Sequence, residues 1–279
     1  MKVAKFTRGT TSGQGVVVGD QVQVVGPLAE GAAEWQPFTL PALSSAELSE
    51  LSHSQLLSLA DVQLVPPVDA TARLFCVGIN YRAHADEADR ELPPQPAIFL
   101  RTLDSVSGHL QTIQRPKVSE QFDFEGEIAV VIGKGGRSIT REDAMSHVFG
   151  YTCFMDGSVR DFQKYSITAG KNFHRSGAIG PWIVTADEIE NYRLLALSTR
   201  LNGEQMQHTT ADQMLYDIPK VISFISSWMP LRSGDIIATG TPSGVGLFRT
   251  PQLWMRPGDV LEVSIGQVGT LRNQVQDES

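Results

Sequence analysis

Asp123-Phe124-Glu125-Gly126-Glu127 runs directly into Ile128-Ala129-Val130-Val131-Ile132-Gly133, and the reading of the whole chain turns on this stretch. Its apolar half has the composition of a buried strand. Alternate side chains of a strand share a face, so Asp123, Glu125 and Glu127 are expected on one side. Carboxylates about 7 Å apart or closer repel one another unless a cation stands between them. Hard divalent ions such as Mg²⁺, Mn²⁺ and Ca²⁺ prefer oxygen ligands and suit such a face. An exposed polar face on a half-buried strand would give the same pattern without a metal, so the choice rests on the rest of the chain.

Outward from that segment the sequence reads mainly as strands: 74–77, 97–101, 125–132, 149–155, 181–184, 195–201, 235–239 and 260–265. Asn202-Gly203 marks a hairpin turn. Helices are few. Thr140 with Asp143 suits the cap of a short one, and Pro219 suits the first turn of another through Ile222, Ile225 and Trp228. Strands without regular β-α alternation speak against a parallel doubly wound sheet. The fold class expected is mainly β with a few helices (α+β). Residues 1 to about 26 read as short strands with glycine turns. Ser44 and Glu47 form a capping box ahead of a helix through Leu48, Leu51, Leu56 and Leu57. Val65-Pro66-Pro67-Val68 breaks that helix and sets a boundary between a small N-terminal α/β domain, 1–68, and a catalytic domain, 69–279.

The 279 residues carry a formal charge of -8, with 41% hydrophobic and 19% charged residues. That suits a globular protein and speaks against non-specific nucleic-acid binding, because no basic cluster is present to neutralise phosphates. Cys76 and Cys153 sit in apolar runs and read as buried free thiols of a reducing compartment. The N-terminus lacks an apolar signal-like region and no run is long enough to span a bilayer, which gives the expectation of a cytoplasmic protein.

Four further groups bear chemistry. In Gly78-Ile79-Asn80-Tyr81-Arg82-Ala83-His84-Ala85-Asp86-Glu87, Asn80 is placed to cap a short helix on which His84 and Glu87 are neighbours three residues apart. A carboxylate beside an imidazole orients the ring and favours its protonated form, as a general base requires. A surface His–Glu pair at a solvated helix end has the same spacing. The charged, proline-bearing stretch from Asp86 to Pro96 reads as a loop able to act as a lid. Asp156 ends an apolar strand, a place for a metal ligand or for an Asx turn. Arg160 follows it as a carboxylate clamp or a structural ion pair. Lys171, between small and apolar residues, reads as an ammonium near a site. The glycines of Thr239-Gly240-Thr241-Pro242-Ser243-Gly244-Val245-Gly246 permit close backbone approach to a ligand, without the spacing or lysine of a P-loop. His53 falls within the expected N-terminal helix, and His109, His147 and His208 lack a paired acid at useful spacing.

Taken in order, these blocks resemble the fumarylacetoacetate hydrolase family over about residues 74 to 265. The signals are G-x-N-Y-x-x-H-x-x-E from Gly78, D-x-E-x-E-I-A-V-V-I-G-K from Asp123, R-D-x-Q from Arg160, G-P-W-I-V-T-A-D-E from Gly180 and T-G-T-P-x-G-V-G from Thr239. The resemblance implies a mixed β-roll of bent sheets, usually homodimeric, with Mg²⁺ or Mn²⁺ on Glu125, Glu127 and Asp156, and Asp123 as a supporting neighbour. It implies His84 and Glu87 as the water-activating pair and Lys171 near the enolisable oxygen. Arg101, Arg160, Gln163 and Thr241 fall to the substrate's carboxylate and keto groups. The implied reaction is hydrolysis of a carbon–carbon bond in an acylpyruvate or related β-diketone acid, of fumarylpyruvate or maleylpyruvate type, releasing pyruvate in aromatic-compound catabolism. Decarboxylation or isomerisation of a 2-oxo diacid is the alternative. Three departures from the family pattern stand out: Arg101 where many relatives have lysine, Met155-Asp156-Gly157, and His174-Arg175. The added positive charge is expected to favour a second carboxylate on the substrate.

Overall fold

The structure, a computed structural model, describes residues 1–31, 37–50 and 53–279. Its frame is a twelve-stranded mixed sheet. The main path runs from His53–Ser58 through Gln21–Glu30, Thr11–Val18, Lys2–Arg8, Gly177–Thr185, Val148–Met155, Gly126–Ile132, Ile236–Ala238 and Leu74–Gly78 to Ala97–Arg101. Most neighbours are antiparallel, but Ile236–Ala238 and Leu74–Gly78 run parallel. Because Lys2–Arg8 pairs with Gly177–Thr185, the first 68 residues and the remainder share one sheet. A five-stranded sheet, Glu204–Thr210, Ala196–Leu201, Val260–Ile265, Gly269–Asp277 and Ile113–Arg115, packs over part of it. No helix among the described residues is long and apolar enough to cross a membrane.

Gly126–Ile132 lies near the middle of the large sheet, and all seven of its residues are buried. Its alternate side chains feed two cores. Ile128, Val130 and Ile132 join Leu197, Val263 and Leu271 of the smaller sheet and Ile222 and Ile225 of the helix Ile218–Trp228, whereas Ala129 and Val131 join Leu74, Cys76, Phe154 and Ile179. A strand covered on both faces needs the unbroken apolar run that the sequence carries, at about 1.5–3 kcal/mol for each large side chain buried. The helix Ile218–Trp228 starts as Pro219 suggested: the Asp217 carboxylate accepts the Lys220 N–H at 3.0 Å. In the hairpin, Leu201 faces Glu204 across Asn202 and Gly203, both at positive φ (53° and 83°), the geometry of a type I′ turn.

Three local expectations are corrected. The capping box forms, with Glu47 accepting the Ser44 N–H at 2.7 Å, but the helix covers only Ser45–Glu50. Leu56 and Leu57, expected on it, belong instead to the strand His53–Ser58, where pairing with Gln21–Glu30 puts Leu57 inside and Leu56 outside; Leu51 lies outside the described residues. Asn80 does not cap its helix, which starts after Tyr81. Its amide crosses to Tyr216 and Thr239, where buried backbone groups need partners. Asp123 does not continue the strand of Glu127. Phe122–Asp123 pairs separately with Ser158–Val159, so the expected face of three acids is broken at Phe124.

Gly126 is a tight point, because an added Cβ would lie 2.0 Å from the Thr199 hydroxyl, itself buried without a partner. Gly126→Ala is expected to lower unfolding free energy by about 1–3 kcal/mol in urea titrations. Adding Thr199→Ala removes the obstructing oxygen and is expected to recover part of the loss; no recovery would place the strain elsewhere.

Candidate metal centre

The antiparallel ladder between Gly126–Ile132 and Val148–Met155 sets Gly126 opposite Met155 and Glu127 opposite Phe154. Glu125 therefore leads into one strand where Asp156 leaves the other, and the Asp156 N–H donates to the Glu125 carbonyl at 2.8 Å. One carboxylate oxygen each from Glu125, Glu127 and Asp156 lies within 4.8 Å of the others. These residues are 6%, 2% and 1% exposed.

Cations meet two of the three. Lys171 Nζ is 2.6 Å from Glu125 Oε2 and 2.6 Å from Asp156 Oδ2. Arg160 Nη2 is 2.7 Å from Glu125 Oε1 and 2.8 Å from Asp123 Oδ2, and Arg101 Nη1 is 2.5 Å from Asp156 Oδ1. Glu127 receives only the Gly240 N–H, at 2.8 Å, and among the described residues no lysine or arginine pairs with it. Burial, joined by the charges of Asp156 and Glu125, pushes the Glu127 carboxyl well above its ordinary 4.5. Burial acts the same way on Glu125, but Lys171 and Arg160 outweigh it and hold that carboxyl below the ordinary range. Lys171 is raised, since Asp156 and Glu125 overcome the opposing effect of burial. Asp123, Glu125, Glu127 and Asp156 thus face Arg101, Arg160 and Lys171, which leaves one negative charge in excess, at Glu127. An all-oxygen donor set with surplus negative charge fits a hard divalent cation. The Tyr81 hydroxyl, buried without a hydrogen-bond partner, lies near enough for the Glu127 charge to add to burial in raising its pKa.

His84 and Glu87 share the helix Arg82–Glu87, with His84 Nδ1 2.7 Å from Glu87 Oε1. The other Glu87 oxygen accepts the Gly244 N–H at 2.9 Å, which fixes the carboxylate. His84 is close enough to Glu125 for its charge to act on that carboxyl. With Nδ1–H assigned to Glu87, Nε2 is the basic nitrogen. The Asp123 carboxylate lies outside the triad: it accepts from Gly246 N at 2.7 Å, Leu247 N at 3.0 Å and Arg160 Nε at 2.8 Å, and so holds the glycine loop to the site.

Of the other expected site residues, Gln163 Oε1 accepts from Arg160 Nη1 at 3.2 Å. Thr241 Oγ1 donates to the Gly126 carbonyl at 3.0 Å and accepts from Gln207 Nε2 at 2.8 Å, so its hydroxyl is tied to the start of the strand Gly126–Ile132. His174 is exposed. Sequence reasoning missed Gln207, which accepts the Gly126 N–H at 2.9 Å and donates to Thr241 and Pro242. Nothing in a polar residue of a hairpin strand announced that role.

Because the folded pKa of Glu127 lies above its unfolded value, its contribution to the cation-free fold is full below about 4.5 and is lost as pH rises past it. Glu127→Gln is therefore expected to raise Tm at pH 7.5 in chelator, as followed by calorimetry. Added Mn²⁺ is expected to raise the Tm of the unaltered protein and leave the variant nearly unmoved. Equal Mn²⁺ responses would remove Glu127 from the ligand set.

The family profile described as Fumarylacetoacetate (FAA) hydrolase C-terminal matches residues 73–276. The chain is 39% identical over 262 residues to the oxaloacetate tautomerase YisK of Bacillus subtilis, covering 90% of this chain and 87% of that protein. Among solved structures, a fumarylacetoacetate hydrolase from the psychrophile Exiguobacterium antarcticum superposes with a TM-score of 0.85 at 32% identity, covering 100% of both chains. The maleylpyruvate hydrolase of Sphingobium sp. SYK-6 does so with a TM-score of 0.81 at 30% identity, again covering 100% of both. With the ordered motifs and the shared mixed-sheet fold, these matches place the chain in a known family of enzymes: it belongs to the fumarylacetoacetate hydrolase family.

Proposed function

We propose that this chain is a Mg²⁺- or Mn²⁺-dependent enzyme of 2-oxo acids that hydrolyses the carbon–carbon bond of an acylpyruvate, of fumarylpyruvate or maleylpyruvate type, releasing pyruvate. The observation that carries this reading is the His84–Glu87 pair, fixed through Gly244 beside the three buried carboxylates. When held by Glu125, Glu127 and Asp156, the cation supplies Lewis-acid polarisation of the substrate's 2-oxo carboxylate end. His84 Nε2 takes a proton from water, and Glu87 stabilises the resulting imidazolium through Nδ1. The hydroxide adds to the distal carbonyl. The bond from that carbon to the methylene then breaks, its electron pair leaves with pyruvate as the enolate, and the proton on His84 returns to carbon. The products are pyruvate and a carboxylic acid. Lys171, raised in basicity between Glu125 and Asp156, stays an ammonium and supplies positive charge where the enolate forms. The homodimer and the cytoplasmic location belong to the same proposal.

A second reading has one specific support, the 39% identity to an oxaloacetate tautomerase. In it His84 removes a proton from the carbon beside the keto group and no water attacks. Hydrolysis is placed first on chemical grounds. Activating water for attack on a carbonyl calls for an imidazole oriented by a carboxylate, as His84 is.

The test is a spectrophotometric comparison of fumarylpyruvate, maleylpyruvate, acetylpyruvate and oxaloacetate, with Mg²⁺ or Mn²⁺ and with chelator. Expected are cation-dependent loss of diketone absorbance with stoichiometric pyruvate, and a fall of about 10²–10⁴-fold in His84→Ala. Acceleration of oxaloacetate enol–keto exchange alone, with no pyruvate from any diketone, would replace hydrolysis by tautomerisation. A rate indifferent to chelation would overturn both.

A further inference from the structure

Arg101 closes the edge strand Ala97–Arg101, and its side chain is fully buried. Its Nε donates to Ser105 Oγ at 3.0 Å. Nη1 donates to Asp156 Oδ1 at 2.5 Å and to the Gly157 carbonyl at 3.0 Å. Nη2 donates to the Ser105 carbonyl at 3.1 Å and to Ser176 Oγ at 3.0 Å. A guanidinium has five N–H donors in a rigid fork, and here all five have acceptors within the protein. The reading of Arg101 as a clamp for a substrate carboxylate finds no donor left to serve it.

The contact to Asp156 divides that carboxylate. Oδ1 is held by Arg101, Oδ2 faces Lys171 at 2.6 Å, and the Asp156 backbone is tied by its N–H to Glu125 and by its carbonyl to Ser158 Oγ at 2.9 Å. The surroundings are shaped to this fork. An added Cβ at Gly177 would lie 2.8 Å from Arg101 Nη2, and one at Gly157 would lie 1.7 Å from the Ser176 carbonyl. Larger residues at either place would push away Ser176 or the guanidinium itself. A lysine has three donors on a flexible stem and no fork, so it would leave some of these acceptors unmet.

We propose that Arg101 is a positioning residue: it fixes the plane of the Asp156 carboxylate so that Oδ2 converges with the oxygens of Glu125 and Glu127, and it takes no part in holding the substrate. This rests on the reading of those three acids as metal ligands and goes beyond it by assigning the support of one ligand to a side chain outside the triad.

The experiment measures Mn²⁺ binding by the free-ion electron paramagnetic resonance signal for the unaltered protein, Arg101→Lys, Arg101→Met and Ser176→Ala. In parallel, oxalate affinity at saturating Mn²⁺ is measured by calorimetry, and Tm monitors folding. Arg101→Met is expected to weaken Mn²⁺ binding by about 10–100-fold, the range for loss of a group that orients a ligand. Arg101→Lys is expected to fall between it and the unaltered protein. Ser176→Ala keeps the guanidinium but frees one prong of its fork. It is expected to weaken Mn²⁺ by a smaller, measurable factor, and it keeps the question open to test if Arg101→Met does not fold. Oxalate affinity at saturating Mn²⁺ is expected to stay within about twofold throughout, since a group that only orients a ligand adds no contact to the bound anion. Unchanged Mn²⁺ affinity with weakened oxalate binding would overturn the proposal in favour of a substrate clamp. Mn²⁺ affinity unchanged in all three variants would overturn it outright. Failure of the unaltered protein to bind Mn²⁺ would overturn the metal reading, and this proposal with it.

Discussion

A carboxylate sealed from water without a cationic partner is costly, and Glu127 is one among the described residues, where it accepts the Gly240 backbone N–H. Around it the other acids are matched: Glu125 and Asp156 share Lys171, Arg160 serves Asp123 and Glu125, and Arg101 serves Asp156. Among the described residues the local charge does not close. A proton on Glu127 or a bound cation closes it, and the two compete for the same oxygens. Burial and the charges of Asp156 and Glu125 drive the carboxyl pKa up, and an oxygen-seeking divalent ion fits where a further lysine would only have neutralised the site.

The loop from Thr239 to Phe248 ties these acids to the helix of His84 and Glu87. Each of three acids takes an N–H from it: Glu127 from Gly240, Glu87 from Gly244, and Asp123 from Gly246. Gly240 and Gly244 have φ of 96° and 103°, a region closed to most side chains, and a Cβ on Gly244 would lie 2.3 Å from the Met206 carbonyl. The glycines therefore let one backbone segment reach the strand of Glu127, the helix of Glu87 and Asp123 at once. Asn80 adds a second tie, from just before the His84 helix to Thr239 and Tyr216. The position of His84 relative to the three acids is thus set by hydrogen bonds to main chain, which hold distance better than contacts between long flexible side chains.

The proposed site residues could be picked out in the sequence because their spacing is local. E-x-E on an apolar strand and H-x-x-E on a short helix each state a neighbour relation that secondary structure alone enforces. The strands were legible for the same reason, and Val260–Ile265 and Ala97–Arg101 fall where the pattern set them. What sequence could not carry were choices made by distant partners. Leu56 and Leu57 suit a helix as well as a strand, and pairing with Val22 and Gln23 decided for the strand. Asp123 matched the acidic alternation, yet the pull of Gly246, Leu247 and Arg160 turned it out of the triad. Gln207 braces Gly126 from 81 residues away, a relation with no periodicity to betray it.

The departures from the family pattern make more sense together than singly. Arginine in place of lysine at position 101 brings a larger, planar head that needs five acceptors and room to lie flat. Gly157 supplies a carbonyl to that head and, having no side chain, lets the Ser176 carbonyl pass close; Gly177 leaves space for the outer nitrogen. Together they leave every donor of the Arg101 guanidinium with an acceptor. The consequence for function runs against the first impression that extra arginines recruit a second substrate carboxylate. Positive charge placed at Arg101 is turned inward on an Asp156 oxygen with every N–H of the fork met inside the protein, so on the proposed reading selectivity for a diacid falls to other groups.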